Sequence, residues 1–176
     1  KHENTYVAFY TDGSTHGGWV FDPRASEAAI STLSRSAAIR GAYMTPDDGE
    51  LYFIEANTVR KYRGGSLNKT ASWKSKKFLA PKPISMGWVS VKAEAYPVTV
   101  KVWADDALIA DYTVSYSSNV YTQVTSTPSG ISNATLREPV MRLPATVGKE
   151  WEVQVSGAVT INEVCIAQSM DEIQSA

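Results

Sequence analysis

The most constraining feature of this chain is a run of strict two-residue alternation from Val98 to Val114. Val98, Val100 and Val102 fall on one side, and Thr99, Lys101 and Trp103 on the other. Successive side chains of a strand point to opposite faces, so this pattern fits a strand with one buried face and fits no helix. Asp105-Asp106 interrupts it, and Leu108, Ala110, Tyr112 and Val114 then alternate against Ile109, Asp111 and Thr113. Two alternating runs around a short polar break predict an antiparallel hairpin.

The rest of the chain follows the same grammar. Val, Thr, Tyr, Ser and Trp recur in short runs cut by Gly, Pro and Asp, which predicts an all-β chain. Expected strands cover Tyr6–Tyr10, Gly18–Phe21, Ile39–Met44, Leu51–Ile54, Thr58–Tyr62 and Ala71–Phe78. Beyond Pro83 they cover Trp88–Ala93, the hairpin, Val120–Val124, Val140–Leu143, Trp151–Val155 and Val159–Gln168. The parity of the last strand slips near Glu163, which predicts a bulge. Tyr116–Ala134 reads as a long loop around its one strand. Ser26–Leu33 reads as a short helix, with Ile30–Leu33 as a strand in the alternative, and Ser169–Ile173 as a second short helix.

Ala80-Pro81-Lys82-Pro83 favours an extended connector. It sets the expected division at residues 1–80 and 81–176. The first part holds a weak repeat: Trp19-Val20-Phe21 and Val59-Arg60-Lys61-Tyr62 each follow an aromatic strand and a tight turn, about 40 residues apart, in the range of propeller blades. Closing a propeller takes about four to eight blades. Fewer than two are present, so this part is either a fragment of a longer propeller or a small antiparallel sheet of blade-like form. The second part, with seven or so strands in about 90 residues, is expected to be a jelly-roll-type β-sandwich.

Composition excludes several function classes. The formal net charge of -1 supplies no positive field for nucleic acid. A single cysteine, Cys165, allows no internal disulfide and no cysteine-based zinc site. No apolar run approaches the roughly 20 residues of a spanning helix, so membrane insertion is not expected. Nucleophile-elbow, P-loop, dinucleotide-binding and zinc-protease motifs are absent. With histidines only at His2 and His16, no serine of the second part has a histidine base. No catalytic residue, metal site or cofactor is expected. Asp47, Asp48 and Glu50, and Asp105 with Asp106, have residue types suited to calcium or to paired-carboxylate glycoside hydrolysis. Both groups fall where turns are expected, and Asp favours turns.

Two kinds of contact residue remain. Lys74 and Lys76 beside Trp73, with Arg60, suit an acidic partner surface; their bland alternative is a solvated sheet edge guarded by lysines. Trp103, alternating away from the valine face, and the loop tyrosines Tyr116 and Tyr121 suit a sugar stacked on exposed aromatic rings.

The junction Ala71-Ser72-Trp73-Lys74-Ser75-Lys76-Lys77-Phe78, running into Pro81-Lys82-Pro83-Ile84-Ser85-Met86-Gly87-Trp88, resembles a segment of virion and tail structural proteins of short-tailed bacteriophages and derived prophages. The hairpin Val98-Thr99-Val100-Lys101-Val102-Trp103-Ala104-Asp105 and the Leu51–Ile54 and Thr58–Tyr62 pair are similar to parts of the same proteins. The resemblance spans about Leu51 to Val114. It implies a propeller-like sheet followed by a sandwich, and a non-enzymatic component of a virion or tail acting in assembly or attachment. The implied partners are other virion proteins and further copies of the chain, and the implied location is the virion, after expression in the bacterial cytoplasm. A carbohydrate-binding β-sandwich module is the alternative, with a glycan as partner, and a polysaccharide hydrolase ranks third.

Overall fold

The structure, a computed structural model, describes residues 5–24, 30–65, 68–126 and 134–175. The described chain is built almost wholly of antiparallel strands, with one five-residue helix at its end. It forms two compact units, Lys1–Ser66 and Leu67–Ala176.

The first unit holds two three-stranded meanders. Strands β1 (Tyr6–Asp12), β2 (Thr15–Phe21) and β3 (Ile30–Arg35) form one, and β4 (Ile39–Met44), β5 (Leu51–Glu55) and β6 (Thr58–Lys61) form the other. Gly13 takes φ +57 in the tight β1–β2 turn, a conformation glycine adopts without a steric cost. Leu51, Phe53 and Tyr62 are the buried apolar residues of this unit among those described, and Val7, Phe9, Val20, Leu33 and Ile39 pack against them. The Phe9 and Phe53 rings lie 5.6 Å apart, and the Arg35 guanidinium sits 4.3 Å from the Phe53 centroid.

Ile30–Arg35 is a strand rather than the end of a helix, because Phe21 and Ile30 open a continuous register between β2 and β3. The first half of the expected Ser26–Leu33 helix, residues 26–29, lies outside the described residues.

In the second unit a seven-stranded sheet faces a three-stranded one. The large sheet runs β13 (Ala134–Leu136), β12 (Val120–Thr125), β11 (Ala107–Ser117), β10 (Val98–Ala104), β15 (Gly148–Gly157) and β7 (Ala71–Lys74), with β8 (Phe78–Ile84) also on β15. The small sheet runs β14 (Val140–Arg142), β9 (Trp88–Ala93) and β16 (Ile161–Ala167). Their facing side chains form one core of fifteen buried residues, including Val98, Val100, Val102, Tyr112, Val114, Trp151, Val153 and Val155 from the large sheet and Val89, Val91 and Met141 from the small. The valine side of the predicted hairpin is therefore the buried side. Tyr112 ties the layers by donating to the carbonyl of Arg142 at 2.9 Å.

The hairpin departs from its expected parity at one place. The β10–β11 register shifts between Val102 and Trp103, so Ala110 opposes Val102 and Leu108 opposes Trp103. Ile109 is the extra residue and is buried, while Leu108 is exposed. The slip expected near Glu163 is present, as a shift between Ile161 and Glu163 against β9.

The Ala71–Phe78 segment does not complete the first meander pair as a fourth strand. Its Ala71–Lys74 part pairs with β15, from Gln154↔Lys74 to Gly157↔Ala71, and Phe78 begins a second strand on β15. The compact units thus divide between Ser66 and Leu67. The Ala80–Pro83 step is strand rather than connector. β8 lies at the sheet edge, where a proline's missing N–H leaves no ladder bond unmade on the open side.

The terminal helix α1 (Met170–Gln174) is shifted by one residue from the expected Ser169–Ile173. The Ser169 hydroxyl accepts from the Glu172 N–H at 3.3 Å, and the Glu172 carboxylate accepts from the Gln168 N–H at 2.9 Å. The first bond caps a free donor of the opening turn, and the second ties the residue before the cap to the same helix.

Candidate functional site

The acidic groups serve as turns. Asp105 (φ 47) and Asp106 (φ 65) are the two central residues between β10 and β11. Two successive positive φ values match the twist of the flanking strands, and Asp tolerates them. Asp105 Oδ1 also accepts from the Lys149 and Glu150 N–H groups, each at 2.9 Å. These bonds hold its carboxyl below the usual range. Asp106 pairs with Lys77 at 2.7 Å, and Glu150 pairs with the same ammonium at 2.8 Å. In the first unit the Asp48 carboxylate accepts from the Thr45 hydroxyl and from the Glu50 N–H. Asp47, Asp48, Asp105 and Asp106 are all exposed. Among the described residues these four carboxylates stand on exposed turns.

Trp103 lies on the outer face of the large sheet, opposite the valines, as its alternation predicts. It opposes Glu152 in the β10–β15 register. Lys74 reaches across from the edge strand: its Nζ sits 4.2 Å from the Trp103 ring centroid and 2.9 Å from Glu152 Oε2. An ammonium over an indole face is attractive, and here a carboxylate neutralises it. This places two of the sequence-predicted residues together. It also occupies a ring face that a sugar needs. Beside them Lys101 pairs with Asp111 at 3.1 Å, and Gln154 donates to the Ser72 hydroxyl at 2.9 Å. The outer face is a set of matched polar pairs.

Trp73, adjacent to Lys74, belongs to the other side. It opposes Val155, a core residue, yet is 53% exposed because β7 lies at the rim of the large sheet. Lys76 is exposed in the segment joining β7 and β8. Arg60 belongs to the first unit, where it pairs with the buried Glu55 at 2.9 Å. Lys74 and Arg60 each have a carboxylate partner, and they belong to different units.

Tyr116 and Tyr121 do come together. They oppose each other at the β11–β12 turn, with ring centroids 4.5 Å apart. The turn itself has Ser118 and Asn119 at positive φ, and Asn119 Oδ1 accepts from the Tyr116 hydroxyl at 3.2 Å. Tyr96 joins them as a third ring, edge-on to Tyr121 at 5.2 Å. Its hydroxyl donates to the Val91 carbonyl at 3.0 Å, and burial raises its pKa. Sequence reading missed Tyr96 because nothing local links it to a hairpin tip beyond β10 and β11. Its one signal is the Tyr96-Pro97 pair, which the structure holds as a cis peptide.

Two of these rings, Tyr96 and Tyr121, border a cleft of about 570 Å³ at the open rim of the small sheet. Strand β14 is only three residues long, so its pairing with β9 stops at Val140↔Ser90. Beyond that point Lys92 and Ala93 of β9, Glu138 and Pro139 ahead of β14, Tyr96 and Tyr121 line the space, and Ile173 and Gln174 of α1 close one end.

No protein-family model matches the chain, and no curated protein matches it in sequence.

Proposed function

We propose that this chain is a non-enzymatic structural component of a phage virion or tail, acting in particle assembly or attachment. In this reading the two meanders are blade-like units and the second unit is a jelly-roll-type β-sandwich. The observation that carries it is the rim formed by β7 and β8. All four residues of β7 are exposed, and Trp73, Phe78 and Leu79 are 53%, 51% and 73% exposed. A sheet edge is a row of backbone donors and acceptors ready to pair, and an edge flanked by large apolar side chains is the kind that proteins cover. A neighbouring copy or another virion protein is the cover this reading supplies. The resemblance of about Leu51 to Val114 to tail structural proteins motivates the same reading.

Light scattering on a sizing column, over a range of protein concentrations, tests it. The expected result is a defined oligomer that persists on dilution and that Leu79→Glu with Trp73→Ser dissociates. Such an interface should bury more than about 1,000 Å². A monomer at every concentration, with no change in the double variant and no capture by co-expressed virion proteins, overturns it.

A further inference from the structure

We infer that the cleft between Tyr121 and the terminal helix binds a short neutral oligosaccharide, with Tyr121 and Tyr96 as its stacking wall. This goes beyond the assembly reading and does not depend on it.

Three observations carry the inference. The first is size and place. At about 570 Å³ the space lies within the roughly 300–1,000 Å³ usual for small-molecule sites. It arises from the fold itself, because β14 ends before β9 does. The second is rigidity. Tyr121 is fixed by two other rings, Tyr116 at 4.5 Å and Tyr96 at 5.2 Å, and Tyr96 is anchored by its bond to Val91. A ring held by neighbours loses little freedom when a ligand packs on it, and the C–H faces of a sugar pack on such rings. The third is the polar lining. Lys92 donates, Glu138 accepts, and Ser90 and Gln174 do both. A polyol presents hydroxyls that are donors and acceptors at once, so it matches a mixed set.

Charge decides between sugar classes. Lys92 already has a carboxylate partner, Glu163, at 3.1 Å, and Glu138 adds a second negative group to the rim. A uronate or sialate entering here meets a cation that is already neutralised and a carboxylate that repels it. A neutral sugar meets neither cost.

The outer-face tryptophan serves as the internal comparison. Trp103 has Lys74 over its ring, whereas Tyr96 and Tyr121 border open space.

The test is isothermal titration and saturation-transfer NMR on the full chain. The probes are maltotetraose, cellotetraose and chitotetraose as neutral sugars, and trigalacturonate and sialyllactose as acidic ones. Binding of at least one neutral probe is expected, weakened roughly tenfold by Glu138→Ala or Gln174→Ala through loss of a hydrogen-bond partner. Tyr121→Ala is expected to abolish it, and Trp103→Phe to leave it unchanged. The Glu138 and Gln174 variants alter exposed side chains, so they report on binding even if Tyr121→Ala perturbs packing. No binding by any neutral probe, binding of acidic probes alone, or binding that only Trp103→Phe weakens would each overturn the inference.

Discussion

The two units use the same local material for cores of very different depth. Each is made of short antiparallel strands with tight turns. The first buries three apolar residues among those described, the second fifteen in one cluster. The difference lies in pattern rather than in apolar content. Val98–Val102 and Trp151–Val155 put every apolar residue on one face, so two sheets can close on each other. In the meanders apolar residues occur on both faces: Trp19, Ile30, Tyr43 and Val59 are exposed while Phe53 is buried. A sheet that is apolar on both sides buries one side and needs a cover for the other.

The sharpest way to break this comparison is to remove one large side chain from each core. Phe53→Ala and Trp151→Ala should each cost about 3–5 kcal/mol. In the first unit that loss is expected to abolish hydrogen-exchange protection of β4–β6. In the second it should lower the unfolding midpoint while β9–β11 remain protected at room temperature. Equal loss of protection in both units would refute the idea that core depth separates them.

Next in size is Tyr112→Phe, which removes the donor to the Arg142 carbonyl and should cost about 0.5–1.5 kcal/mol in chemical denaturation. The same residue sets an alkaline limit. Burial pushes the Tyr112 hydroxyl up to about 12, above the ordinary value near 10. The folded form resists ionisation, so this stabilisation is present below about pH 10 and is lost as pH rises toward 12. Wild type should lose stability over that window, and Tyr112→Phe should show a shallower loss.

Asp105 sets the opposite limit. Its folded carboxyl is held below the usual range by two backbone N–H groups, so its contribution is present above about pH 4 and is lost as pH falls through the folded value. Asp105→Asn, which tolerates positive φ, should flatten the acid side of the stability profile of the second unit. An unchanged acid profile would show that the turn bonds do not depend on the charge.

The smallest effect expected is that of Lys74→Met. Removing the ammonium from Trp103 and Glu152 at a half-exposed site should change stability by less than about 1 kcal/mol. Indole fluorescence should nonetheless shift as the Trp103 ring face is uncovered. A loss well above that size would make the outer face a structural element rather than a solvated one.

Much of this was legible in the sequence. Alternation at Val98–Val102 named both a strand and its buried face, because a two-residue period leaves a strand only one way to hide its valines. Asp105-Asp106 named a turn, and Ser169 with Glu172 supports the short helix at the end. Parity alone puts Trp103 on the face opposite the valines. These are local properties, set by backbone sterics and by which side of a strand each residue occupies.

Pairing between distant strands was decided only by the tertiary structure. Nothing in Ala71–Lys74 says that it joins β15 rather than β6, since any edge strand offers the same donors and acceptors; the matching partner, Gln154–Gly157, lies far along the chain. That choice put Lys74 on Trp103 and closed a site that the sequence had left open. Likewise Tyr116 and Tyr121 were visible as hairpin-tip aromatics, but the third ring and the cleft beside them exist only because β14 stops short and the chain before Pro97 folds back against the hairpin. Local periodicity determines what each strand is and which face it hides; the competition of strand edges for partners, settled by packing over the whole unit, determines which residues meet.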